Sequence, residues 1–365
     1  MSNAIPGAGT LTAWLDATAA GLCAGTADNT ELLPRLAAAG LFRVGVPVEL
    51  GGTGGDVTDA MAAIADVSAR SLTAGFVFWG HRTFIEYLLQ SPNKGLRDRL
   101  LADLLAGRIA GATGLSNAMK FLSGLEELQV VAQRAGDFYR LDGKLPWVTN
   151  LRPAGFHVAA AVAHADGPGA FVAALAHDLP GLARTPDLEL MAMRGSDTAA
   201  IDLADVRIGA ADILHPQAAR WLPQVRPAFL GMQCGMSIGL ARRALAEAAG
   251  RAGAARDVLR EPVAAATAHL AALETALRDG LRRGAFHASP AALFELRIAL
   301  AGVAGEAVSL ELQASGGRAY LSPSGDSFAR RWKEAAFLPV VTPSLVQLKA
   351  ALTAQQSSLP AGQAA

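Results

Sequence analysis

The stretch LQVVAQRAGDFYRLDGKLPWVTN, residues 128–150, decides the fold class, because β-prone residues replace a helical pattern there. Its AGD and LDG steps are typical of hairpin turns. FHVAAAVAH, GAFVAALAH and TAAIDLADVRI follow as further short β-prone runs separated by Gly, Asp and Pro. Residues 109–216 are therefore predicted to form a middle domain, a small antiparallel β-barrel or sandwich.

Helical patterns lie on both sides of this region. Residues 1–108 repeat apolar side chains at three- and four-residue spacing, and Asp56 and Thr58 are candidate N-caps for DVTDAMAAIADVSARSL. Residues 217–353 contain long helical runs that predict a four-helix bundle. The last residues, 354–365, are predicted to be a loose tail. The helix–sheet–helix order, without a GxGxxG motif after a strand, excludes a Rossmann domain on pattern grounds.

Composition narrows the class of protein. The 365 residues are 52% hydrophobic and 18% charged, and 32 acidic and 32 basic side chains give a net charge of zero. No segment is basic enough to indicate a nucleic-acid partner, and no window of about 18 apolar residues indicates a membrane span. Cys23 and Cys234 are far apart, which excludes a disulfide framework and a cysteine-based metal site. With an N-terminus unlike a signal peptide, these features predict a cytoplasmic globular protein.

Six short motifs occur in the order and spacing of one flavoprotein family. MAMRGSDTAAIDLADVRI, residues 191–208, resembles the closing strand region of the acyl-CoA dehydrogenases. GLFRVGVPVELGGTGGD resembles their N-terminal helix–loop, LDGKLPWVTN resembles NGxKxWITN, and QASGGRAYL resembles QxxGGxGY. GRIAGATGLSNA stands at the TEP-type strand end, where residues 118–120 replace the family's GSD. ARDVLREP resembles RxxFGxP, with Leu259 and Arg260 in place of FG.

This resemblance implies a fold, a cofactor and an assembly. The expected fold is α+β and multidomain, with an N-terminal helical domain, a middle antiparallel β-barrel and a C-terminal four-helix bundle. The expected cofactor is FAD, and the chain is expected to form a homodimer or a homotetramer. The expected substrate is an acyl-CoA or a similar small molecule in fatty acid metabolism, with an electron acceptor of unknown identity.

The same resemblance gives roles to residues at two strand ends. Trp147 would pack on the isoalloxazine, and Val148, Thr149 and Thr113 would contact the flavin ring. Without the resemblance, Trp147 is better explained as a barrel-core aromatic. Arg256 would reach the FAD pyrophosphate from the neighbouring subunit, a contact that suits a bidentate guanidinium, or else it is a solvated arginine at a helix end.

Further matches lie in the C-terminal region and in one turn. Gln313, Gly316 and Gly317 match the turn that accepts the adenosine part of FAD, although Gly316 is also compatible with a plain helix C-cap. Thr342 matches a threonine that contacts the flavin. Residues 194–196, Arg-Gly-Ser, are interpreted as a structural turn that locks the barrel to the bundle.

Dehydrogenation of an acyl-CoA requires a base beside the α-carbon, and the usual glutamate is missing. Aligning residues 331–333 with the family's RDA run places Val340 at the glutamate position, where its backbone N–H is expected to remain a donor to the thioester carbonyl. A second base position of the family, near Phe229, is also apolar. His81 is the best remaining candidate, although a lone histidine in an aromatic helix is more often a packing residue. Glu334 is interpreted as part of a solvated or salt-bridged face.

Three functions remain open at this stage. The first is α,β-dehydrogenation of an acyl thioester by an FAD-dependent enzyme with an atypical base. The second is a flavin-dependent monooxygenase on the same fold, which the apolar segment 337–341 would suit. The third is a non-catalytic protein that binds acyl-CoA or flavin. The fold alone does not decide among them.

Overall fold

The computed structural model describes residues 8–115, 118, 121, 126–251 and 256–357, without the side chains at positions 8, 256, 356 and 357. A block of helices opens the chain. Its members are α1 (Ala8–Ala24), α2 (Leu32–Ala38), α3 (Val57–Ser68), α4 (Leu72–Leu89) and α5 (Lys94–Leu105). Asp56 is the N-cap of α3, since its carboxylate accepts the Thr58 N–H at 2.7 Å, while its own N–H donates to Asp59. Thr58 therefore belongs to the first turn of α3 and receives the cap.

A sheet of eight strands follows the helices. The strands are β1 (Ala110–Thr113), β2 (Val130–Ala135), β3 (Phe138–Val148), β4 (Phe156–His164), β5 (Ala170–Ala176), β6 (Leu182–Arg184), β7 (Ala199–Gly209) and β8 (Ile213–His215). Their order is β6-β7-β3-β2-β4-β5-β8, and β1 pairs with β4 off this path. The sheet is mixed, because β4 runs parallel to both β1 and β2. Among the described residues no pairing joins β6 to β8, so the barrel expected from the sequence is open.

The two glycine steps predicted as hairpin turns have different structures. AGD is a turn, since Ala135 pairs with Phe138 and Gly136 adopts a positive φ between them. LDG lies inside β3, where the register with β7 shifts between Leu141 and Gly143, as in a β-bulge. The prediction of a turn at LDG is therefore wrong. A Cβ on Gly143 would approach the Gln129 carbonyl oxygen to 2.1 Å, so a neighbouring backbone requires this glycine.

The C-terminal region is helical, as expected. It contains α6 (Ala218–Arg251), α7 (Arg256–Arg282), the short α8 (Ala285–Ala288), α9 (Pro290–Ser315), α10 (Asp326–Ala335) and α11 (Leu345–Ser357). Helix α11 extends four residues into the segment predicted to be a loose tail, and the remainder of that segment lies outside the described residues. No helix in the described part of the chain is long and apolar enough to cross a membrane.

Close packing between α6 and α3 joins the two helical regions. Gly235 and Gly239 of α6 face the carbonyl oxygens of Met61 and Ala65 on α3. A Cβ at either glycine would approach those oxygens to 2.6 Å and 2.1 Å, distances that the backbones cannot accommodate. Helix α6 also packs against α9, and α4 packs against α6 and β1. Helix α4 is therefore held between the sheet and the C-terminal helices.

Candidate functional site

Helix α4 brings the predicted strand-end residues together. Its Gly80 faces Thr149, whose Cγ2 would lie 3.2 Å from a Cβ at position 80. About two turns further along α4, the Tyr87 hydroxyl lies 3.1 Å from the hydroxyl of Thr113 at the end of β1. Asn150 closes the arrangement, since its Nδ2 donates to the Gly111 carbonyl at 2.9 Å. The ends of β1 and β3 thus form one site against one face of α4.

The predicted flavin-contact residues of β3 have different environments. Trp147 is 61% exposed, whereas Val148 and Thr149 are buried. The interpretation of Trp147 as a barrel-core aromatic is therefore wrong. The Thr149 hydroxyl lies 2.6 Å from that of Thr198, which is 2.8 Å from the Ser196 hydroxyl. No local sequence pattern indicates this chain of hydroxyl groups, because it joins segments about fifty residues apart.

The turn at residues 194–196 contacts a different element from the one expected. A Cβ on Gly195 would lie 2.8 Å from the carbonyl oxygen of Leu22 in α1. The Ser196 carbonyl accepts the Asn150 N–H at 2.9 Å. The turn is structural, as interpreted, but it joins the sheet to the N-terminal helix α1 and not to the bundle.

The predicted adenosine-binding residues lie at the end of α9. Gln313, Gly316 and Gly317 are exposed. Gly316 is the C-cap of α9 with φ +56° and ψ −150°, a conformation essentially restricted to glycine. Among the described residues, no hydrogen bond connects this segment with the strand ends. The side chain of Arg256, predicted to contact pyrophosphate, lies outside the described part, although its backbone begins α7.

The segment expected to carry the base follows α10 as a series of turns. Val340 is 62% exposed, and its N–H donates to the Phe337 carbonyl at 3.0 Å. That bond uses the donor that the sequence analysis assigned to a thioester carbonyl, so this expectation does not hold for the structure. Val341 is buried, and the carbonyl oxygen of Thr342 accepts the Gln233 side-chain amide at 2.9 Å.

A buried arginine and Gln233 hold this segment from two helices. Arg297 of α9 donates through Nη2 to the Leu338 carbonyl at 2.7 Å and through Nε to Gln233 Oε1 at 2.9 Å. Its guanidinium is fully buried, and desolvation lowers the Arg297 pKa. We call Arg297 and Gln233 the Arg–Gln clamp. The clamp was not predicted, although an arginine inside the apolar run LFELRIALAG is a usable signal.

His81 lies in the packed interior and is bonded to the backbone of two neighbouring segments. It is fully buried, its Nδ1 accepts the Gly111 N–H at 2.9 Å, and its Nε2 lies 2.9 Å from the Leu104 carbonyl oxygen. Nε2 therefore carries the proton of a neutral ring. Both nitrogens contact backbone, and burial lowers the His81 pKa to about 3. We therefore no longer propose His81 as the base.

This buried neutral ring should make stability depend on pH. A histidine of the unfolded chain binds a proton below about pH 6.5, whereas folded His81 does so only below about pH 3. The contribution of His81 to the free energy of unfolding should therefore be complete above about pH 6.5. It should fall by up to about 1.4 kcal/mol per unit as pH decreases through that window. The measurement is urea unfolding from pH 7.5 to 4.5. His81→Gln should flatten the slope, whereas His269→Gln at an exposed position of α7 should not; equal slopes in all three proteins would refute the assignment.

Glu334 is not on a solvated face. Its carboxylate is fully buried, and Oε2 accepts Arg330 Nη1 at 2.7 Å. Burial raises the Glu334 pKa, while Arg330, Arg331 and the backbone of Leu72 oppose this shift. Of the two alternatives in the sequence interpretation, the salt-bridged one is correct. Glu334 is thus a buried residue of α10 that pairs with Arg330 one turn earlier in the same helix.

A separate cavity of about 540 Å³ lies between the α1–α2 loop and the loops at the start of β4 and β7. Arg152 and Asp197, 3.6 Å apart, are among its lining residues, and Asn29 bonds to Asp197 at 2.8 Å. None of the predicted cofactor or base residues lines it. Elsewhere, no cluster of three or more His, Cys, Asp or Glu side chains suited to a metal ion occurs in the described part of the chain.

Comparison with known proteins finds similarity in the N-terminal region and in the fold. Residues 18–108 match the family model "Acyl-CoA dehydrogenase, N-terminal domain". Mitochondrial isovaleryl-CoA dehydrogenase of Pongo abelii is 26% identical over 191 residues, which cover 50% of this chain and 44% of that protein. The match therefore spans about half the length of that relative.

Solved structures agree with the fold over almost the whole chain. Butyryl-CoA dehydrogenase from Megasphaera elsdenii superposes with a TM-score of 0.79 at 17% identity, covering 98% of this chain and 99% of that one. Dibenzothiophene monooxygenase (TdsC) from Paenibacillus sp. A11-2 gives 0.78 at 17% identity, covering 98% of each chain. At these identities the likeness shows the fold alone. The family-model match covers residues 18–108, and the chain as a whole shares the fold of these solved structures.

Proposed function

We propose that this protein is an FAD-dependent oxidoreductase that acts on an acyl thioester. The observation that carries the proposal is Trp147, whose indole is exposed at a strand end while Val148 and Thr149 beside it are buried. A large flat aromatic at that place presents a surface that a planar ring can cover. The similarity of residues 18–108 to the acyl-CoA dehydrogenase N-terminal domain supports the same cofactor and substrate class.

The residues present fit FAD in two respects. Trp147 offers an exposed ring beside the Thr149 and Thr113 hydroxyls, each of which keeps capacity for a further hydrogen bond. A Cβ on Gly316 or Gly317 would meet no atom of the chain within 4 Å, so an external group can approach that backbone. FAD bound there would supply the acceptor for the hydride that the substrate loses. Gln313, Thr342 and Arg256, from either subunit of a homodimer or homotetramer, remain proposed contacts.

The proposed reaction is dehydrogenation, in which a base outside the two usual positions takes the α-proton from the substrate. Val340 and Phe229 occupy those positions, and both nitrogens of His81 contact backbone. A second candidate is oxygen-dependent oxidation by the reduced cofactor. The apolar side chains at both base positions favour it, since neither can remove the α-proton that dehydrogenation must take. In both cases the protein's own residues bind and orient the substrate.

Anaerobic titration of the FAD-loaded protein with acyl-CoAs, following visible absorption, tests this function. Bleaching of the flavin by a thioester is the expected result for dehydrogenation. A spectral shift without bleaching, followed by oxygen consumption once a reductant is added, would support the second candidate. Absence of any change with every thioester, together with no substrate-dependent oxygen consumption, would contradict an oxidoreductase acting on thioesters.

Replacing Trp147 by alanine should weaken FAD binding about tenfold or more. The reason is the loss of a stacking surface whose contribution adds to that of buried area. The measurement is FAD affinity of the apoprotein, followed by quenching of flavin fluorescence. Met191→Ala is the matched control, because Met191 is also a large exposed apolar side chain. Equal affinity of both variants would contradict the assignment of Trp147.

A further inference from the structure

The cavity of about 540 Å³ between the α1–α2 loop and the loops at the start of β4 and β7 has an ion pair in its wall. Arg152 lies in the loop after β3, and Asp197 lies in the turn before β7. The backbones of the two segments are bonded to each other. The Asn150 N–H donates to the Ser196 carbonyl at 2.9 Å, and the N–H of Leu151 donates to the carbonyl of the aspartate at 3.0 Å. The two charged residues are therefore fixed beside each other.

The ion pair is too long to satisfy its two members. Arg152 Nε lies 3.6 Å from Asp197 Oδ2, which is beyond hydrogen-bond distance. Asn29 occupies the other ends of both groups, since its amide donates to Asp197 Oδ1 at 2.8 Å and its carbonyl accepts Arg152 Nη2 at 2.5 Å. Within the described part of the chain, no hydrogen bond reaches Arg152 Nη1 or Asp197 Oδ2. A donor and an acceptor are thus left over on adjacent side chains.

Burial makes this incomplete bonding costly. Arg152 is 8% exposed and Asp197 is 6% exposed. Desolvation raises the pKa of the Asp197 carboxyl and lowers the pKa of the Arg152 guanidinium, because burial disfavours each charged form. Buried charged groups are normally fully hydrogen-bonded, and an unmade bond there costs free energy. The two spare atoms therefore indicate a group from outside the chain that completes the contacts.

The other charged residues of the cavity wall already have partners that lie outside it. The pairs are Arg108 with Asp103, Asp187 with Arg184, and Arg194 with Glu189. Leu33, Pro34 and Pro153 give the wall an apolar part. The described wall thus combines an unsatisfied donor, an unsatisfied acceptor and an apolar surface, in a volume typical of small-molecule sites.

We propose that this cavity binds an α-amino acid with an aliphatic side chain. Such a molecule carries a carboxylate and an ammonium group on one carbon, which matches the adjacent guanidinium of Arg152 and carboxylate of Asp197. The ligand carboxylate accepts from Arg152 Nη1, and the ammonium group donates to Asp197 Oδ2. The aliphatic side chain packs on Leu33, Pro34 and Pro153. A simple anion or a simple cation would complete only one of the two buried groups.

Isothermal titration calorimetry of the purified protein with L-leucine and two analogues tests the proposal. 4-Methylpentanoate is leucine without the ammonium group, and 3-methylbutylamine is leucine without the carboxylate. We expect L-leucine to bind at millimolar or lower concentration. Each analogue should bind at least about tenfold more weakly, because it leaves one buried charged group without its partner.

Two variants locate the binding site. Asp197→Asn should weaken L-leucine binding about tenfold or more, because the ammonium group loses a charged acceptor. The same variant should not weaken binding of 4-methylpentanoate, which has no group for Oδ2. Arg108→Gln is the matched control, since it removes an exposed charge from the same wall. It should change the L-leucine affinity by no more than about twofold.

Three results would overturn the proposal. The first is the absence of binding heat with millimolar L-leucine at two temperatures. The second is binding of 4-methylpentanoate as tight as that of L-leucine, which would mean a site for simple anions. The third is an Arg108→Gln variant that loses as much affinity as Asp197→Asn. The analogue series needs only the wild-type protein, so it decides the question even if Asp197→Asn does not fold. None of these results bears on the thioester function, which is measured at the flavin.

Discussion

Glu311→Leu should lower the free energy of unfolding by about 3–5 kcal/mol, because it leaves a buried guanidinium without its partner. Glu311 of α9 and Arg331 of α10 are both fully buried, and Arg331 Nε donates to Glu311 Oε2 at 2.9 Å while Nη2 contacts the other oxygen. Arg251 Nη1 also lies 3.7 Å from the same carboxylate, but Arg251 keeps its ion pair with Glu247, so the loss falls mainly on Arg331. Urea unfolding measures the loss.

Two comparisons test whether the charge itself is the cause. Glu306→Leu removes an exposed carboxylate from the same helix and should change stability by no more than about 0.5 kcal/mol. The double variant Glu311→Leu with Arg331→Met should be more stable than Glu311→Leu alone, because the main buried charge disappears with its partner. A single variant that is as stable as the Glu306 control, or a double variant less stable than the single, would contradict the account.

The same ion pair gives Arg331 a structural role in this chain. Arg331 is the residue aligned with the start of the RDA run, and it fixes α10 on α9. The segment 337–342 leaves the end of α10 directly, and the Arg–Gln clamp holds it at Leu338 and Thr342. The position of Val340 is therefore set by buried polar contacts on both sides of it. All of these contacts are between groups of the chain itself, so they do not require a bound substrate.

The order of helices and strands was predictable, because local periodicity determines it. The pairing of the strands was not, since β4 meets β1 and β2 in parallel through contacts distant in sequence. The same limit explains the LDG step. Asp142 and Gly143 have the composition of a turn, but β3 continues through them because β7 supplies partners on the other side, with the Asp205 N–H bonded to the Asp142 carboxylate.

The candidate site, too, could be predicted only in part from the sequence. Motif spacing indicated the strand ends, and the structure brings Thr113 and Thr149 against one helix. The surroundings of Trp147 and His81 could not be predicted, because exposure and hydrogen bonding depend on neighbours from other segments. Arg297 illustrates this most directly. Its partners are a backbone carbonyl 41 residues away and a side chain 64 residues away, and no local pattern encodes either contact.

Val340→Glu should raise the rate of flavin reduction by an acyl thioester about 10²–10⁴-fold, the usual contribution of a positioned general base. Val340 is exposed, so a carboxylate there carries little desolvation penalty, and the Arg–Gln clamp keeps its backbone in place. The measurement is anaerobic stopped-flow mixing of FAD-loaded protein with butyryl-CoA. The rate should increase with pH as the new carboxylate ionises.

Two control variants separate the effect of the basic oxygen from the effects of added charge and of side-chain size. Val340→Gln has nearly the same shape but no basic group, and it should reduce flavin no faster than the wild-type protein. Val346→Glu adds the same charge at an exposed position of α11 and should also have no effect. If Val340→Glu retains FAD, binds the thioester and still matches Val340→Gln, position 340 does not face the α-carbon. A gain confined to Val340→Glu would mean that the site retains the geometry for dehydrogenation and that the missing carboxylate limits the reaction.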